Sequence, residues 1–178
     1  MNINESSKFI KILINKFYIL FCLNSIVMNA EPILMSQAEQ LFEEYKKTRK
    51  TNISIDQFKY LLNLYPSLIV CMCDGVLDDG EWEGVVQTAK GLAIGYANAQ
   101  DQEQVEQALR TEFRYLLDNI EKWQKKFLNT LKNHIQDSRT DKEFVLESMY
   151  LFANAADGIS AIEQETIEML SERLGLDF

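Results

Sequence analysis

A short polar residue followed three positions later by Glu or Gln recurs six times along this chain, as Ser36…Glu39, Ser54…Gln57, Asp78…Glu81, Asp101…Gln104, Thr140…Glu143 and Ser160…Glu163. In each pair the first side chain can accept from the orphan N–H groups of a helix's first turn. The second can reach back to the first residue's own N–H, so two donors are satisfied together. Apolar spacing supports the same reading. Ile55, Phe58, Leu61, Leu62 and Tyr65 form one stripe, and Pro66 is expected to break or kink the helix there. Val105, Leu109, Phe113, Leu116 and Ile120 form a second, and Trp123, Phe127, Leu131 and Ile135 a third. Phe144, Val145, Met149, Phe152 and Ala156 make a fourth, and Ile162, Thr166, Met169 and Leu170 a fifth. No run alternates with period two, and seven Gly with two Pro are too few for the turns of a sandwich or barrel. The expectation is an all-α, single helical-bundle domain of about seven helices. Counted as seven or eight, they are placed near residues 37–50, 55–65, 67–74, 79–98, 102–118, 120–137, 141–156 and 161–174.

The charge balance narrows what such a bundle can do. Against 27 Asp and Glu stand 18 Lys and Arg, a net charge of −9. Nucleic-acid binding needs clustered cations, so it is not expected. With His134 as the one histidine, most zinc and triad chemistry is removed. Cys22, Cys71 and Cys73 are too few for a disulfide framework and suit a reducing compartment. Cys71 and Cys73, on a continuous helix, would point about 200° apart and share no metal-binding face.

Residues 1–34 form an N-terminal extension with its own character. The stretch 9–28 is apolar, with Lys8 before it and Lys11 and Lys16 within it, which fits a signal-like segment, an anchor or a non-native start ahead of Met28 or Met35. A spanning helix needs ~20 predominantly apolar residues, and Lys11, Asn15, Lys16 and Asn24 interrupt this one. Without the extension the net charge is −10, so the acidic balance belongs to residues 35–178. A cytoplasmic protein is expected, with membrane association or export through residues 1–34 as the alternative.

One internal repeat stands out. Leu68-Ile-Val-Cys-Met-Cys-Asp74-Gly75-Val76-Leu77-Asp78-Asp79-Gly80-Glu81 matches Leu151-Phe-Ala-Asn-Ala-Ala-Asp157-Gly158-Ile159-Ser160-Ala-Ile-Glu163 at a separation of 83 residues. Each has an apolar helix, then Asp-Gly, an apolar step, and a capped helix start. Gly75 and Gly158 are expected at positive φ. Val76 or Leu77, and Ile159, are expected to plug the core across the turn. Two such corners suggest a duplicated helix-turn-helix unit with a pseudo-two-fold axis.

At these residues the chain resembles the TerB-like family of tellurite-resistance proteins, whose hallmark is a pair of Ala-Asp-Gly corners followed by an acidic helix start. Ala156-Asp157-Gly158-Ile159-Ser160 fits this pattern, and Cys73-Asp74-Gly75 fits with Cys for Ala. The resemblance covers residues 36–178. It implies a non-enzymatic module in tellurite or broader chemical-stress resistance, working with membrane-protein partners of the Ter system. It also implies metal sensing at the acidic corners, which transfers to Asp74, Asp78, Glu81, Asp157 and Glu163, with a divalent cation such as calcium as the ligand. Ser160 stands where an acid would make the two corners symmetric.

Two readings of those acids compete. Asp74, Asp78, Asp79, Glu81 and Glu83 concentrate negative charge around one turn, and hard cations bind oxygen ligands. Asp78 and Glu81 also suffice as a capping box, and acids at helix N-termini answer the macrodipole. The spacing is not that of an EF-hand. A carboxylate-dependent metal hydrolase inside the bundle is a further alternative, but such bundles pair Glu with His at Glu-x-x-His, which is absent here. Lys122, Lys125, Lys126 and Lys132 surround Trp123 and Phe127 as a basic strip backed by core aromatics.

Overall fold

A computed structural model describes residues 35–96, 101–155 and 158–176. Seven helices follow one another: α1 (Gln37–Thr48), α2 (Ile55–Cys71), α3 (Asp79–Tyr96), α4 (Gln102–Leu117), α5 (Ile120–His134), α6 (Arg139–Ala153) and α7 (Ala161–Leu174). There is no strand among the described residues, so the chain is all-α. No helix among them is long and apolar enough to cross a membrane. The extension of residues 1–34 lies outside the described residues, and so does Asp157.

Four of the six expected boxes form. Reciprocal bonds join Ser36 to Glu39, Ser54 to Gln57, Asp78 to Glu81 and Ser160 to Glu163. Asp101 precedes α4 in a helical conformation and makes no side-chain cap bond. At α6 the cap is Ser138, whose hydroxyl accepts from the Asp141 N–H, and Thr140 is already inside the helix. Two polar residues competed there for one cap, and the earlier one won.

The helix expected to break at Pro66 does not. α2 runs through it from Ile55 to Cys71, merging two expected helices. An interior proline forfeits one ladder bond and crowds the preceding turn, costing ~3 kcal/mol. Here α2 packs on α1, α4, α5, α6 and α7, and 13 of its 17 residues are buried. Each fully buried Leu, Val or Phe is worth ~1.5–3 kcal/mol, so encirclement outweighs the defect.

Around α2 the core is aromatic at one end. The Tyr45 ring lies 5.1 Å from Trp123, 5.3 Å from Phe58, 5.9 Å from Tyr115 and 6.1 Å from Phe127. Its hydroxyl donates to Glu112 Oε2 at 2.6 Å. Glu112 is 4 % exposed, on the inward face of α4 between Leu109 and Leu116. It also accepts from the Thr51 hydroxyl at 2.8 Å and from Arg49 Nε at 3.4 Å. The Arg49 guanidinium in turn covers Tyr115, 4.9 Å from the ring centroid. A buried carboxylate thus fastens the end of α1 and the loop after it to α4. Burial and this partner raise the Tyr45 phenol far above its ordinary value, so it stays a donor.

On the outer side of this core the lysine strip behaves as a solvated face. Lys126 pairs with Glu44 of α1, and Lys122 and Lys126 lie 5.5 and 5.7 Å from the centroid of the buried Trp123.

Removing the buried acid strands three donors. Glu112→Ala is expected to lower the unfolding free energy by about 3 kcal/mol, and Tyr45→Phe by about 1 kcal/mol. Urea denaturation of both variants measures this. Equal losses in the two would show that Glu112 does not hold the cluster together.

Candidate functional site

α2 gives way to the first corner at Cys71, where Met72 caps the helix by donating to Ile69 and Val70 carbonyls. Gly75 then takes φ of 85°, a conformation that costs a side-chain-bearing residue strain, and its N–H donates to the Met72 carbonyl at 3.0 Å. Asp74 Oδ1 accepts from the Val76 N–H at 2.9 Å, closing the tip. Asp78 and Glu81 bond reciprocally at 2.7 and 2.9 Å, and α3 begins.

The second corner follows the same course. α6 ends at Ala153, Gly158 has φ of 99°, and Ser160 with Glu163 starts α7 through bonds of 2.7 and 3.3 Å. Both glycines adopt the positive φ expected of them.

The two corners meet. Cys73 lies near Thr166 of α7, whose hydroxyl donates to the Ile162 carbonyl of its own helix at 2.8 Å, and Glu163 lies close enough to influence Cys71, Cys73 and Glu81 electrostatically. On the other side, a Cβ added to Gly84 of α3 would meet the Ala155 Cβ, just past α6, at 3.4 Å. Each helix end therefore touches the helix that starts the opposite corner. Gly84 and Thr166 each lie six residues after their caps, Asp78 and Ser160. Neither contact was foreseen from sequence, although that shared spacing was there to be read.

Two expectations about apolar side chains are corrected. Val76 is 65 % exposed and Ile159 is 39 % exposed, so neither plugs the core, whereas Leu77 packs against it. Val76 sits at the tip that Asp74 closes, and only the next residue reaches inward. On α7 the buried positions are Ile167, Leu170 and Leu174, while Ile162 and Met169 are exposed. Of the expected stripe Leu170 is buried, but Ile167 takes the inward place expected of Thr166. Thr166 is half-buried, and its hydroxyl donates to the Ile162 carbonyl at 2.8 Å.

Of the five acids carried over as metal ligands, four are described. Asp74 closes its own turn, Asp78 and Glu81 cap α3, and Glu163 caps α7. Their corners adjoin, yet among the described residues no three His, Cys, Asp or Glu side chains gather as a metal ion requires. Asp157 lies outside the described residues. In each of the four, one carboxylate oxygen accepts from a backbone N–H.

The corner's chemistry is that of protons. Glu81 is 7 % exposed, and its carboxyl is pushed up to about 7. Burial is the main cause, opposed by the hydrogen bond from the Asp78 N–H and reinforced by the charges of Asp78, Glu163 and Asp74. Burial also raises both thiols, again reinforced by Glu163 and Glu81. The expectation that Cys71 and Cys73 face apart assumed one continuous helix. α2 instead ends at Cys71, Cys73 lies in the turn beyond, and both thiols sense the same two acids.

Glu81 makes stability depend on pH in a definite direction. Its ordinary value is 4.5 and its folded value about 7, so in that interval the native chain binds more protons than the unfolded one. Stability therefore falls as pH rises through this window. Glu81→Gln keeps an acceptor for Asp78 and removes the titration. Its unfolding free energy is expected to exceed that of the parent by on the order of 1–2 kcal/mol at about pH 8, with the advantage disappearing near the ordinary carboxylate value. Parallel urea titrations across this range measure it, and identical pH profiles would refute it.

No protein-family model, curated protein or solved structure matches the chain.

Proposed function

We propose that the chain is a non-enzymatic helical binding module of the TerB-like kind, serving tellurite or broader chemical-stress resistance, with the joined corners as its working surface. The observation that supports this most is that the two Asp-Gly corners, which carry the resemblance, adjoin through Cys73 with Thr166 and Gly84 with Ala155. The corners expose both apolar and acidic groups: Val76 with Asp74, Asp78, Asp79 and Glu83 at the first, and Ile159 and Ile162 at the second. Exposed apolar groups bordered by one sign of charge suit a protein partner of the opposite sign, so the partner is a basic, apolar surface. A membrane protein of the Ter system is the partner that the resemblance implies.

Tellurite survival tests the reading. Host cells expressing the chain are expected to outlive vector controls. Cells expressing a Val76→Glu, Asp74→Lys, Asp79→Lys variant are expected to lose that advantage, though the variant's helical circular dichroism is unchanged. Survival no better than the vector, or full protection by the variant, would overturn it.

A further inference from the structure

Asn63 and Ser67 stand one turn apart on the same face of α2, with Pro66 between them. Asn63 is 4 % exposed and Ser67 0 %. Yet neither Asn63 Oδ1 nor Ser67 Oγ has a hydrogen-bond partner in the protein, and Ser171 Oγ is the one other buried side-chain oxygen among the described residues in that position. Hydroxyls inside other helices of this chain behave differently. Ser148 donates to the Phe144 carbonyl at 2.7 Å, Thr111 to Gln107 at 2.7 Å and Thr88 to Gly84 at 2.9 Å. Each uses the carbonyl four residues back, an outlet that Ser67 leaves unused.

Pro66 adds a third polar atom to the pair. It has no N–H, so the Leu62 carbonyl is without its usual donor, and the ring crowds that carbonyl out of line. Leu62 is itself buried. At 3.6 residues per turn, Leu62, Pro66, Asn63 and Ser67 follow one another within about 140° of the helix circumference. One side of a single turn thus carries a carbonyl short of its donor, an unpaired amide oxygen and an unpaired hydroxyl. Five helices packed around α2 keep bulk solvent from them. Orphaned polar groups in such a place are costly enough that native interiors rarely keep them without a bound solvent molecule.

We infer that α2 binds one internal water at Pro66, held by the Leu62 carbonyl, the Asn63 side-chain oxygen and the Ser67 hydroxyl. The water donates one hydrogen to the Leu62 carbonyl and the other to Asn63 Oδ1, and it accepts from the Ser67 hydroxyl. Every donor and acceptor is then used, and about three bonds are what a buried water makes. The same bridge replaces the ladder bond that the proline forfeits, which adds to encirclement as a reason that α2 runs on past Pro66. A cation is a poorer occupant. Divalent ions take about six or more oxygen ligands, and the Ser67 proton would still lack an acceptor. No residue of α2 from 57 to 71 is acidic, so none of them would compensate a buried positive charge. The inference goes beyond the corners and stands whether or not they dock a partner.

Oxygen-17 magnetic relaxation dispersion on the full chain counts long-lived internal waters without interference from exchanging protons, and water-to-protein Overhauser contacts place them. Contacts from a long-lived water to the Asn63 and Ser67 β-protons are expected. Ser67→Val puts a methyl group where the hydroxyl holds the water, and is expected to remove about one water from the count and to abolish the Asn63 contact. Pro66→Ala returns a donor to the Leu62 carbonyl, and is expected to shorten the residence time of this water several-fold. That second variant keeps the test open should the valine chain fail to fold. Absence of the contacts in the parent, or an unchanged water in either variant that folds, would overturn the inference. So would a melting temperature that rises when sodium or potassium replaces choline at constant ionic strength, because an ion would then be the occupant.

Discussion

A helix with almost no face to solvent needs neighbours on every side, and α2 is that helix. With 13 of its 17 residues buried and α1, α4, α5, α6 and α7 packed on it, it acts as the axle of the bundle. Its composition explains why: a run of apolar residues from Leu68 to Val70 continues the stripe that begins at Phe58. Once α2 is encircled, its C-terminal end can lie only beside the end of α6, which packs along it. The corner residues that follow both helices are then neighbours without any attraction of their own.

At those neighbouring corners hydrogen bonding and electrostatics oppose each other. Asp74, Asp78, Glu81 and Glu163 each accept from a backbone N–H. At Glu81 that bond favours ionisation, but burial, reinforced by the charges of Asp78, Glu163 and Asp74, prevails over it. A cap that is half protonated near neutrality still accepts a hydrogen bond through its other oxygen. The helix start therefore survives changes that alter the corner's charge.

Much of the fold could be read in the sequence because caps and periodicity are local. Ser36, Ser54, Asp78 and Ser160 began helices where their spacing indicated, and Gly75 and Gly158 turned them. The failures share a cause, since each was decided by residues far away in the chain. Pro66 was overruled by five packing helices, and the inward face of α7 was set by the helices it packs on, α2, α5 and α6. Glu112 was overlooked for the opposite reason. An acid in the track between Leu109 and Leu116 looked like a polar interruption, when its partners Tyr45 and Thr51 lay more than sixty residues away. The candidate site was legible as two motifs, and their meeting only from the packing of α2 on α6.

The thiols at this junction follow from the same geometry. Reaction with oxidants and electrophiles runs through the thiolate, and the surroundings of Cys71 and Cys73 suppress that form. Burial withholds water, and Glu81 and Glu163 would repel a sulfur anion. The chain thus carries two thiols at this junction, flanking Met72, and the surroundings hold both toward the S–H form.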